Sequence, residues 1–127
     1  MKLLLIAIIC LISPIAVSQI NCSDFKIGKF EFRRHNLQGN YILERTDSTQ
    51  IEQDLILGTT IEYKVEWIDE CQYDLSLIKG ELPKKLKNLF VDTFRIVIYE
   101  TGENEYADYI LIDGNTILDS RRLYKLN

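Results

Sequence analysis

The most regular stretch of the chain runs from Thr60 to Ile68. Ile61, Tyr63, Val65 and Trp67 alternate there with Glu62, Lys64 and Glu66. Period two, with β-branched and aromatic residues on one side and charges on the other, marks a strand with one buried and one wet face. Tyr73, Leu75 and Leu77 alternate with Gln72, Asp74 and Ser76 just beyond the short turn at Asp69-Glu70. The two runs predict a hairpin. The same alternation recurs at Phe30 and Phe32, and at Tyr41 and Leu43. Ile51 and Leu55 mark a third strand, before Leu57-Gly58-Thr59. Further strands are predicted from Phe94 to Tyr99, from Tyr106 to Ile112 and from Thr116 to Leu126. Turn-forming groups separate them: Gln38-Gly39-Asn40, Asp47-Ser48, Thr101-Gly102-Glu103-Asn104 and Asp113-Gly114-Asn115.

One segment breaks the pattern. Leu82, Leu86, Leu89 and Phe90 fall at helical spacing, and Pro83 suits a first helical turn. A short helix is therefore predicted over 82–90. The fold class is mainly β: about eight strands with short connections, which favours an antiparallel meander. Eight strands can close into a small up-and-down barrel, which removes exposed edges. The alternative is a curved half-barrel with the helix against one face.

The first residues read differently. Met1-Lys2 is followed by the unbroken apolar run Leu3 to Ile12, then Ser13-Pro14, then the small residues of Ala16-Val17-Ser18. That order predicts a secretory signal peptide over 1–18 and one β-rich domain over 19–127. The run is shorter than the roughly 20 residues a spanning helix needs, so no membrane span is expected in the mature chain. The expected location is periplasmic or extracellular. Cys22 follows Gln19-Ile20-Asn21, which is not the small-residue box of a lipid-attachment site.

Export changes the reading of the cysteines and the charge. Cys22 and Cys71 remain after cleavage, and in an oxidising compartment two cysteines are expected to pair. Two buried free thiols are the alternative. The formal net charge of −4 becomes one unit more negative when Lys2 leaves. An acidic domain is a poor partner for nucleic acid.

Candidate chemistry is sparse. His35 is the lone histidine, in Arg33-Arg34-His35. No G-x-S-x-G turn accompanies it, and one histidine is too few for a usual zinc site. It is expected at a solvated strand end. The acids cluster at turns, at Asp69-Glu70, at Glu100, Glu103 and Glu105, and at Asp113, without a calcium-loop spacing. No catalytic residue, cofactor or metal is expected. The seven tyrosines and one tryptophan carry more weight. Tyr63, Trp67 and Tyr73 are candidates to line a pocket for an apolar ligand, beside the plainer reading that they are core.

Two resemblances follow from these residues. Gly28-Lys29-Phe30 looks like the glycine-x-aromatic opening of lipocalin-like barrels, with Phe where Trp is usual. Cys22-Ser23-Asp24-Phe25-Lys26 with Gly28 and Phe30, the run Glu62 to Trp67, and Cys71, Tyr73 and Leu75 are together similar to a family of short secreted Bacteroidetes proteins. Some members carry a topoisomerase IV label, which an acidic exported chain does not support. These resemblances imply a small secreted β domain and carry over no activity. The reading is a non-enzymatic module binding an apolar or amphipathic small molecule. The alternative is an envelope structural or protein-interaction module with a filled core and an envelope protein as partner.

Overall fold

The computed structural model describes residues 20–33, 41–82, 84–88, 93–103 and 105–126. The predicted leader at 1–18, His35, the Gln38-Gly39-Asn40 turn, and Pro83, Leu89 and Phe90 of the predicted helix lie outside the described residues.

The alternating segments form eight strands: β1 (Gly28–Arg33), β2 (Tyr41–Arg45), β3 (Thr49–Asp54), β4 (Thr60–Trp67), β5 (Gln72–Lys79), β6 (Thr93–Gly102), β7 (Tyr106–Asp113) and β8 (Thr116–Lys125). Each pairs antiparallel with its neighbours in the chain, and β1 pairs with β8, so the sheet closes into a barrel. The half-barrel alternative is thereby excluded. Irregularities at Glu62/Tyr63, Ile98/Glu100 and Leu111/Ile112 interrupt the register. Bulges of this kind bend strands and help a sheet curl.

The alternation predicted from sequence sets most of the interior. Phe30, Phe32, Leu43, Tyr63, Val65, Tyr73, Leu75, Phe94, Ile96 and Ile98 are all buried. Outside, Asp74 takes two hydrogen bonds from Arg95, and Asp108 takes two from Arg122. Each pair sits directly opposite across its ladder, the position where opposite charges help a sheet.

Strand β3 departs from the prediction. Its inward residues are Gln50 and Glu52, both buried, while Ile51 is on the outer face. Leu55 lies beyond the strand. Asp54 ends it: its carboxylate accepts from the backbone N–H of Ile56 at 2.9 Å and of Leu57 at 3.1 Å. Gly58 closes the same turn with φ +68°, donating its N–H to the Asp54 carbonyl. The predicted helix is also shorter. Helix α1 spans only Lys84–Lys87; Leu82 is buried just before it and Leu86 within it.

The two barrel ends differ. At one end a 3-10 helix over Ser23–Phe25 seats Phe25 in the core, where it stacks on Phe30. A Cys22–Cys71 disulfide ties this helix to the β4–β5 turn. The other end carries the β3–β4 turn, the α1 segment and the β7–β8 turn.

Candidate functional site

A closed barrel this small is normally filled by apolar side chains. This one also encloses a polar group. Arg45, Gln50, Glu52 and Arg121 are buried together with the tyrosines Tyr63, Tyr73 and Tyr109. The register explains how they meet. Gln50 lies opposite Arg45 on one side and opposite Tyr63 on the other, and Arg121 lies opposite Tyr109.

Arg45 is tied on three sides. Its Nε donates to Gln50 Oε1 at 2.9 Å, one Nη to Tyr73 Oη at 2.6 Å, and the other Nη to the Phe25 carbonyl. Its guanidinium lies over the Tyr73 ring at 4.5 Å and over Phe30 at 5.5 Å, a favourable cation–π setting. Gln50 then passes its amide N–H to Glu52 at 2.9 Å. Arg121 donates Nε to Asp119 at 3.0 Å and packs over Phe32.

The ionisation states follow from burial. Desolvation pushes Tyr63, Tyr73 and Tyr109 above the ordinary phenol value, and Glu52 adds to the rise in each case. All three stay neutral donors at physiological pH. Burial disfavours charge on Arg121, but Tyr109, Glu52 and Asp119 outweigh it and raise its pKa.

Between these groups is a cavity of about 10 Å³, counted as space for the centre of a water molecule. That is room for about one water. Gln50, Glu52, Tyr63, Tyr73, Tyr109 and Arg121 form its polar side, and Leu86 of α1 is part of its apolar wall. A second, open cleft of about 560 Å³ lies at the α1 end, lined by Tyr41, Leu57, Ile61, Leu82 and the carboxyl-bearing Glu52, Asp54 and Glu81. Glu52 lines both, so a single residue stands between the cleft and the central cavity. Leu57 lines the cleft and, with its chain neighbours Leu55 and Ile56, is exposed, at 74%, 57% and 70% in turn.

Of the residues singled out from sequence, Tyr63 and Tyr73 line the central cavity. Trp67 does not. It sits toward the opposite end, its ring tilted against Tyr73 with centroids 4.5 Å apart and Lys26 over it. Cys22 and Cys71 are bonded to each other. Asp69, Glu70, Glu100, Glu103, Glu105 and Asp113 are exposed at strand ends and turns, and Asp69 accepts from the Cys71 N–H. Among the described residues no group of His, Cys, Asp and Glu is placed to hold a metal ion.

Sequence reasoning missed Arg45, Gln50, Glu52, Tyr109 and Arg121. A faint signal existed: Gln50 and Glu52 are two polar residues at period two, flanked by the inward-facing Leu43 and Tyr63 on the neighbouring strands.

No protein-family model, curated protein or solved structure matches the chain.

Proposed function

We propose that the protein is an exported, non-enzymatic binding barrel of the lipocalin-like kind, which takes a small amphipathic ligand through the end that carries α1. The supporting observation is the position of Glu52, which lines two spaces. An open cleft with apolar side chains on part of its wall lies next to a closed cavity rich in hydrogen-bond donors, and that pairing of surfaces suits a molecule with a tail and a polar head. The opposite end is plugged by Phe25 and the disulfide. Export is supported by the leader pattern at 1–18 and by the disulfide, which belongs to oxidising compartments. No helix among the described residues is long and apolar enough to cross a membrane.

The test is a panel of amphipathic molecules titrated onto the full protein, read by emission of the single Trp67 and by thermal shift. Trp67 touches Tyr73, which lines the cavity, so occupancy of the interior changes its surroundings. A flat response across the panel overturns the reading.

A second reading is favoured by the exposed run Leu55-Ile56-Leu57. Three consecutive exposed apolar residues suit contact with an envelope protein. Capture of one specific envelope protein, lost in a triple Leu55→Ser, Ile56→Ser, Leu57→Ser variant, would support it over the first.

A further inference from the structure

The polar side of the central cavity holds more donors than the described residues use. Tyr63 and Tyr109 are 1% and 4% exposed. Among the described residues, neither hydroxyl has a hydrogen-bond acceptor or donor partner. The Arg121 Nε is taken by Asp119, while among the described residues its two Nη groups have no acceptor. Tyr73 accepts from Arg45 and retains its own proton to give. A buried donor without an acceptor costs about 1–3 kcal/mol. Several of them facing one cavity call for a group of the opposite character.

The charges point the same way. Two buried guanidinium groups, Arg45 and Arg121, face one buried carboxylate, Glu52, which is engaged by Gln50. Asp119 stands at the edge of the cluster. Phenol and guanidinium N–H and O–H groups are the usual recognisers of carboxylate oxygens, and the flat guanidinium fits a carboxylate fork.

We infer that Arg121, Tyr63, Tyr109 and Tyr73 form a recognition site for the carboxylate head group of an amphipathic ligand. The inference rests on the ligand-binding reading above and adds the sign and chemistry of the head. The closed cavity takes only about one water, so the head group displaces the Leu86 side chain from its wall. The tail then lies in the open cleft against Leu57, Ile61 and Leu82. Asp54 and Glu81 disfavour a carboxylate that stops in the cleft and would instead hold an amine there; Glu52, which lines both spaces, accepts from Gln50.

The experiment compares decanoate, decanol and decylammonium on the full protein at neutral pH by calorimetry. Decanoate is expected to bind at least tenfold tighter than the other two. Tyr63→Phe and Tyr109→Phe are each expected to weaken decanoate about tenfold, the size of one hydrogen bond to a charged group, and to weaken decanol less, since its hydrogen bond is a neutral one. Without ligand both variants should match or exceed the native melting temperature, because each removes a hydroxyl that no group among the described residues satisfies. A hydroxyl with a purely structural role would lower it. Leu86→Ala should tighten decanoate by widening the way in. Equal binding of decanoate and decanol, preference for decylammonium, or unchanged decanoate affinity in both Phe variants overturns the carboxylate site while leaving the binding barrel standing. Silence from all three ligands overturns both.

Discussion

Gln50 and Arg45 face each other across the β2–β3 ladder, and the Gln50 side chain accepts from the Arg45 Nε at 2.9 Å. Gln50 thereby joins a buried cation to a buried carboxylate, since its amide goes on to Glu52. Replacing Gln50 with Leu keeps the volume nearly constant and leaves both charges one bond short. The expected loss is roughly 2–4 kcal/mol, from two charged groups left underbonded. Urea denaturation measures it; a loss below about 1 kcal/mol would show that the bridge is idle.

The disulfide acts on a different state. Cys22 and Cys71 are 49 residues apart, and closing a loop of that length removes unfolded-state entropy worth about 4 kcal/mol in the chain-entropy account. A double Cys22→Ser, Cys71→Ser variant is therefore expected to lose on the order of 4 kcal/mol. Its circular dichroism should remain that of a barrel under native conditions. Matching denaturation curves with and without reductant would refute this.

Alkaline pH gives a separate handle on the core. Tyr63, Tyr73 and Tyr109 hold their protons above the ordinary value of 10.0 when folded. The unfolded chain loses those protons near 10.0, so above that pH it binds fewer protons than the native state. Stability from these groups is complete below pH 10.0 and falls as pH rises beyond it. Tyrosinate absorbance should rise in two phases, with these three appearing only on unfolding. A single phase containing all seven tyrosines, with the fold intact, would contradict the burial.

Gly80 supplies a backbone test at the cleft. Its φ is +95°, and a Cβ there would stand 2.6 Å from the Thr60 carbonyl oxygen. Gly80→Ala is expected to cost about 2 kcal/mol or more, through strain and a forced shift of β4. Thermal unfolding reads it, and an unchanged melting temperature would count against the geometry.

The legibility of this fold in its sequence was uneven for physical reasons. Strands β4 and β5 were plain because every residue of one parity in Ile61–Trp67 and Tyr73–Leu77 is apolar. Strand β3 was misphased because Ile51 is its only strongly apolar residue and lies outside. Its true parity is fixed by Arg45 and Tyr63 on neighbouring strands, information no local window holds. Leu55 looked like strand, though Asp54 and Gly58 around it already spelled a turn. Arg121 was invisible for a similar reason: Tyr109 and Phe32, which surround it, come from other strands. Of the candidate site, Tyr63 and Tyr73 were found because aromatic residues in a strong strand must be inside. Trp67 shared their parity and stands directly opposite Tyr73 in the β4–β5 ladder, yet does not line the cavity; alternation gives the face of a residue and not which interior space it reaches.

The β1–β8 ladder has an effect beyond shape. Every other ladder joins strands consecutive in the chain, whereas this seam brings Phe32 beside Leu123. It cannot form until the last strand is present. A chain stopped before Thr116 would leave Gly28–Arg33 and Tyr106–Asp113 as two bare edges with complementary backbone groups. Bare edges pair with other chains, so such a fragment is expected to assemble strand to strand into open-ended oligomers. The ten-residue β8 is thus the piece that covers both of those edges at once.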